Sequence, residues 1–223
     1  PAEPIDFKKS CNLCLKCLKE VKMKNLLELF AGTKSVSKAV NNKYDKIVSV
    51  DILDTFNPTH KTDIMIWDYR QYPTGYFHTI WASPPCTQYS KAKTRGERDL
   101  DSANNIVKRT IEIIEYFNPD YWFIENPQTG KLKDQNFMEF LPYYDIDYCQ
   151  YGKLYRKRTR IWTNLEGFVP RLCSGAGVCT AMNGGKHRLS IGNGNVIYTE
   201  RGLSLHDKYS IPSVLLETLF ANL

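Results

Sequence analysis

The chain reads as an α/β protein with a largely parallel sheet and a small Gly-rich loop insert. Three observations predict this. Short apolar runs alternate with amphipathic or turn-rich stretches from Asn25 onward. Three of those runs end in distinctive groups: Phe30-Ala31-Gly32, Ser83-Pro84-Pro85-Cys86 and Glu125-Asn126-Pro127. Between the last two lies a long stretch with helical spacing of its apolar residues. Parallel sheets bind ligands beyond the carboxyl ends of their strands, so the three loops are expected to converge on one site.

Each element has its own signal. Leu26–Phe30 is a short apolar run closed by Ala31-Gly32, as a buried strand would be, and residues 35–41 fit one or two helical turns. Lys46–Asp51 (KIVSVD) is a β-branched strand ending in an acid. Thr79–Ser83 is a strand stopped by Pro84-Pro85. From Leu100 to Phe117, Ala103, Ile106, Val107, Ile111 and Ile114 recur at three- and four-residue steps. Asp99 or Asp101 marks the start of that helix and Asn118-Pro119 its stop. Tyr121–Glu125 is a further strand. Six of the 13 glycines fall within residues 175–194, which reads as a looped insert. Ser210-Ile211-Pro212 opens a last helix, with Ser210 as its cap and Leu215, Leu219 and Phe220 as its buried stripe. The expected organisation is an N-terminal Cys-containing extension (1–22), a catalytic core (23–165), a reduced recognition insert (166–204) and a C-terminal helix returning to the core (205–223). The chain starts at Pro1 and reads as a processed or trimmed product, and Met23 would itself make a plausible start.

Composition narrows the function classes. At 223 residues the chain is long enough for one core without staples. A composition of 42% hydrophobic and 24% charged residues excludes a disordered chain. No apolar run reaches the roughly 18 residues of a membrane span, and PAEPIDFKKS lacks the core of a secretory signal. The net charge of +6 permits an acidic partner such as nucleic acid without requiring one. Seven dispersed cysteines, an odd number, do not form a secreted disulfide framework. A reducing, intracellular compartment is expected, with some thiols held for metal or chemistry.

Several residues can carry chemistry. Gly32 lets backbone amides approach a ligand, and a helix starting at Ser35 would favour a carboxylate at its amino end. Asp51 ends the second strand where a ribose diol would be gripped; its plain alternative is a turn residue. Asp63 is a similar acid, with Asp68 as its rival. Two prolines stiffen the loop that displays Cys86 at a strand's end. Lys91, Lys93, Arg95 and Arg98 follow in a basic loop that either faces solvent or closes over phosphates. Glu125 ends an apolar strand as a proton donor or as an ion-paired acid.

The order ELFAG, SPPCTQ, ENP, KRTRIW strongly resembles the cytosine-carbon-5 DNA methyltransferases, in particular compact phage- or virus-like members. The resemblance covers about Met23 to Leu165 and resumes at the last helix. It implies a Rossmann-like S-adenosylmethionine-dependent methyltransferase that flips a cytosine out of double-stranded DNA. By resemblance, Cys86 is the thiolate that adds to carbon 6, Glu125 the acid at N3, and Arg158 and Arg160 hold the flipped base and its surroundings. Phe30, Ala31, Gly32, Asp51, Ile52, Asp63, Ser83 and Pro84 are the implied cofactor contacts, with Asp51 on the ribose and Asp63 on the adenine amino group. Gln88, Ser90, Lys91, Lys93, Arg95, Lys153, Arg156 and Lys157 are the expected DNA contacts. Arg156 stands where the family usually has glutamine, Thr33-Lys34 where it often has a further glycine, and no asparagine precedes the last helix. Only about 50 residues separate Arg160 from Ile211, which leaves room for a short or relaxed recognition site.

Two cysteine groups lie away from that site. Cys173, Cys179 and His187, with Cys149 or His206 as a fourth ligand, fit structural zinc or ordinary loop residues. Cys11, Cys14 and Cys17 fit a metal site or one face of a helical turn. The reading is a monomeric DNA cytosine-5 methyltransferase, of the kind used in restriction-modification, with S-adenosylmethionine and a structural zinc as candidate cofactors and no membrane partner. The alternatives are a transfer RNA cytosine-5 methyltransferase, a non-catalytic nucleic-acid-binding relative and a metal-binding regulatory protein.

Overall fold

The computed structural model describes residues 23–190, 204–221 and 223. The N-terminal extension, with Cys11, Cys14 and Cys17, lies outside the described residues, as does 191–203 of the insert. Among the described residues, seven strands form the main sheet: β1 (Asn25–Leu29), β2 (Lys46–Asp51), β3 (His60–Lys61), β4 (Thr79–Ala82), β5 (Tyr121–Pro127), β6 (Tyr143–Asp147) and β7 (Arg158–Thr163). Their order is β3-β2-β1-β4-β5-β7-β6. The first five run parallel, and β7 is antiparallel to both β5 and β6. Strand order reverses between β1 and β4, and every residue of these two strands is buried, as central strands of a two-sided sheet require.

Helices cover both faces. On one, Leu27, Leu29, Ile80 and Ile124 meet Ala103, Val107, Ile113 and Phe117 of α2 (Leu100–Phe117). On the other, Leu26, Phe123 and Ile161 meet Val36 and Val40 of α1 (Ser35–Val40). Leu215, Leu216 and Leu219 of the last helix complete that second core. This is the Rossmann-like arrangement expected. Asp99 caps α2 by accepting the Ser102 N–H at 2.9 Å, and Asn118 ends it in the left-handed region at φ 45°.

The C-terminal end departs from expectation. It forms two short helices, α3 (Leu205–Tyr209) and α4 (Ser213–Leu219), with Pro212 at the N-cap of α4. Ser210 is not the cap: its hydroxyl donates to Asp207 O at 3.1 Å and accepts from Lys153 Nζ at 2.8 Å. The proline disfavours helical backbone at Ile211, which forces the break. The insert contributes a two-stranded hairpin, β8 (Met182–Asn183) and β9 (Lys186–His187).

Candidate active site and metal cluster

The carboxyl ends of β1, β2, β4 and β5 surround a cleft of about 410 Å³. The eight expected cofactor contacts, from Phe30 to Pro84, all line it together with Cys86 and Glu125; Asp68 does not. The loop after β1 is built on unusual backbone, with φ 56° at Phe30 and 45° at Gly32. A side chain at such an angle is strained, which suits glycine at position 32. Asp51 holds this loop. Its Oδ2 accepts the Gly32 N–H at 2.8 Å and its Oδ1 the Leu53 N–H at 2.8 Å. Each carboxylate oxygen keeps a lone pair for a further donor. Asp63 accepts the Met65 N–H with Oδ1 at 2.9 Å. Ile52 and Leu53 line the cleft yet are 61% and 64% exposed, an apolar rim open to a ligand.

The start of α1 does not wait for a ligand carboxylate. Glu28, buried in β1, already accepts the Val36 N–H at 3.2 Å and the Ser37 N–H at 3.0 Å, and the Ser37 hydroxyl as well. Lys34, at the N-cap, makes no capping hydrogen bond, so Glu28 supplies the missing acceptor from a neighbouring strand. Burial pushes the Glu28 carboxyl above its ordinary range, against the lowering effect of these bonds.

Cys86 is half-buried on the loop after β4. Asn126 donates through Nδ2 to Pro84 O at 2.9 Å, which fastens that loop to the end of β5. The Cys86 carbonyl accepts the Tyr89 N–H at 3.0 Å and the Ser90 N–H at 2.8 Å. Gly130 permits the close approach of the two loops: a Cβ there would sit 3.1 Å from Pro127 O and 3.3 Å from Tyr89 O. Glu125 is buried, and its Oε1 accepts from Tyr148 Oη at 3.1 Å and Lys157 Nζ at 3.3 Å. Burial raises the Cys86 thiol above its ordinary range; the Glu125 charge adds to this and the Lys157 charge opposes it.

The arginines lie elsewhere. Glu125 pairs across the sheet with Ile161, so it shares a face with the odd-numbered residues of β7 and their neighbour Lys157. Arg158 points the other way and binds Asp147 (Nη2–Oδ2, 2.8 Å), as does Arg156 (Nε–Oδ1, 3.0 Å). Burial pushes the Asp147 carboxyl up, but bonds from Arg158, the Cys173 N–H and Arg156 outweigh it and hold it below the usual range. Arg160 grips Asp145 at 2.7 and 2.9 Å and stacks 3.5 Å above the Tyr143 ring. Neither Arg158 nor Arg160 lines the cleft, whereas Lys157 does. Lys157, expected among the DNA contacts, thus lies beside Glu125, a place that only the pairing of β5 with β7 reveals.

The other expected DNA contacts divide by how they are already engaged. Lys91 and Arg95 are exposed. Lys93 donates to Gln88 Oε1 at 2.9 Å, Lys153 to Ser210, and Arg98 to the carbonyls of Ser90 and Lys93 at 2.9 Å each. Arg98 therefore stitches the basic loop together.

On the far edge of the sheet, Cys149, Cys173, Cys179 and His187 bring four ligand atoms within 4.8 Å of one another. This Cys₃His set can hold a metal ion. His206 is not part of it and lies against Phe56 instead, with ring centroids 6.0 Å apart.

Comparison with known proteins places these features. Residues 25–141, just over half of the chain, match the family of C-5 cytosine-specific DNA methylases. The chain is 38% identical over 172 residues to the Frog virus 3 (isolate Goorha) protein named "Probable DNA (cytosine-5)-methyltransferase", covering 70% of this chain and 78% of that one. The Entamoeba histolytica methyltransferase EhMeth is similar at 16% identity, over 66% of this chain and 54% of that one, with a TM-score of 0.49. The S. pombe Dnmt2 methyltransferase is also 16% identical, over 66% of this chain and 52% of that one, with a TM-score of 0.47. The chain thus spans about half the length of these two structures. The family match and the viral relative together establish that the chain belongs to the C-5 cytosine-specific DNA methylases.

Proposed function

We propose that the chain methylates carbon 5 of cytosine in double-stranded DNA, with S-adenosylmethionine as methyl donor and Cys86 as nucleophile. One observation carries this reading: Cys86 and Glu125 share a single cleft with Gly32, Asp51 and Asp63, although the five residues come from five strand ends. The cleft suits the cofactor. Its size falls in the ordinary range for small-molecule sites, its rim at Ile52 and Leu53 offers apolar cover to a flat ring, and Asp51 and Asp63 retain acceptor capacity for hydroxyl and amino groups. When bound, S-adenosylmethionine supplies a methyl group on an electron-poor sulfonium.

The residues of the chain do the rest. Carbon 5 of cytosine is a poor nucleophile. Addition of the Cys86 thiolate to carbon 6, with Glu125 placing a proton at N3, turns carbon 5 into an enamine carbon that takes the methyl group. Loss of the carbon-5 proton and departure of Cys86 restore the ring. Burial raises the thiol, so its proton must pass to solvent water as the base arrives; Lys157 favours the thiolate and orients Glu125. Duplex DNA hides the reacting carbon, so the base is extruded at a cost of roughly a few kcal/mol. Arg158 and Arg160 are assigned to the surroundings of that base, reaching it by sharing or leaving Asp147 and Asp145. Lys91 and Arg95 are assigned to phosphates. The protein is taken to act as a monomer in a reducing intracellular compartment, where Cys86 stays free. Structural zinc at the Cys₃His set is a second proposed group, argued below.

Labelled-methyl transfer to duplex DNA and to transfer RNA, side by side, tests the reading. Label on DNA cytosine is the expected result. Label confined to transfer RNA, or on neither, would overturn it.

A further inference from the structure

We infer that Cys149, Cys173, Cys179 and His187 hold a structural zinc ion that fastens the Gly-rich insert to the edge of the sheet. The spacing fits the ion. Zinc bonds of about 2.3 Å to sulfur and about 2.05 Å to nitrogen place sulfur and nitrogen about 3.6 Å apart in a tetrahedron. Cys173 Sγ and Cys179 Sγ lie 3.5 and 3.8 Å from His187 Nε2. Four side chains converge, the full complement of a closed tetrahedral site, and all three thiols are free. A disulfide would use two of the cysteines and leave the third and the imidazole without a purpose.

The local backbone is shaped to present these ligands. Gly175 and Gly177, at φ 88° and 84°, turn the chain so that the Cys179 N–H reaches Gly175 O at 3.0 Å. The hairpin of β8 and β9 then reverses through Gly184 and Gly185, at φ 57° and 84°, and returns His187 opposite Met182. Cys149 comes from the core, just after β6. Among the described residues, the small apolar cluster around the thiols adds Ala181 and the partly buried Met182 to the cysteines. So small a cluster gives the turns that carry the ligands little core of their own, and a metal is the usual substitute.

The surroundings of the site give the ion a further consequence. Gln150 Nε2 points at Cys179 Sγ from 3.4 Å, a hydrogen bond suited to a thiolate. The Cys173 N–H donates to Asp147 Oδ2 at 2.9 Å, and Asp147 is the carboxylate that holds Arg156 and Arg158. Order at the metal is thereby passed to two basic residues of the proposed DNA face. None of the four ligands lines the cofactor cleft, so the inference stands independently of the methyl-transfer reading.

Zinc content of the full chain, purified without chelator, tests it. Wild type and the Cys86→Ser variant should each retain one zinc at this site. Cys173→Ser and Cys179→Ser should lose one equivalent, and a variant with Cys11, Cys14 and Cys17 all replaced by Ser should keep it. Cobalt(II) exchanged into wild type should give the thiolate charge-transfer and tetrahedral bands of an S₃N site, a readout that does not depend on a variant folding. Chelation of wild type should weaken DNA binding and leave S-adenosylmethionine binding unchanged. A wild-type chain without zinc, or zinc kept by Cys173→Ser and lost with Cys11, Cys14 and Cys17, would overturn the inference.

Discussion

Cys86 sits between two opposed charges. Burial and the Glu125 charge hold its proton on, and Lys157 draws it off. The rate kcat/KM should therefore climb with pH through a value above the ordinary thiol range. Lys157→Met removes the one favourable charge, so the climb should move to higher pH; a pH–rate profile reads the shift, and an unmoved profile would contradict it. Glu125→Gln keeps the shape but cannot supply a proton, and single-turnover methylation should slow by about 10²- to 10⁴-fold. At this scale the site was partly legible in sequence. Cys86 and Glu125 stand out because their loops carry prolines at strand ends. Lys157 does not, because its partner is set by a pairing register between β5 and β7 that no local pattern displays. Asp145 and Asp147 were likewise invisible until β6 aligned with Arg160 and Arg158.

Elements were easier to read than their ends. The periodicity of α2 and its Asp99 cap are local features, and both appear where expected. The final helix opens at Ile211-Pro212 and buries Leu215, Leu219 and Phe220 as expected, whereas the short helix before it, α3, has no apolar stripe to announce it. α1 depends on the strand just before it, with the buried Glu28 of β1 capping its first turn. Because the folded state holds the Glu28 proton above its ordinary range, this group's contribution to stability is complete at low pH and is lost as pH rises through the folded value. Glu28→Gln removes that loss. Melting curves from pH 4 to pH 8 should show the variant gaining on wild type as pH rises, and parallel curves would contradict the assignment.

At the scale of the whole molecule, the charge of +6 matters through where the basic residues are free to meet phosphates. Arg156, Arg158 and Arg160 are engaged with aspartates, whereas Lys91 and Arg95, on the loop that follows Cys86, are exposed. Replacing both by alanine should weaken DNA binding evenly across sequences. It should also reduce the slope of log affinity against log salt by roughly 2, about 0.9 per phosphate contact. An unchanged slope would move the phosphate contacts elsewhere. The central claim remains the thiol. Duplex DNA carrying 5-fluorocytosine has no removable proton at carbon 5 and should trap the intermediate. Incubated with the protein and S-adenosylmethionine, it should give a covalent complex whose peptide map places the bond on Cys86. No adduct, or one at Cys149, Cys173 or Cys179, would contradict the account.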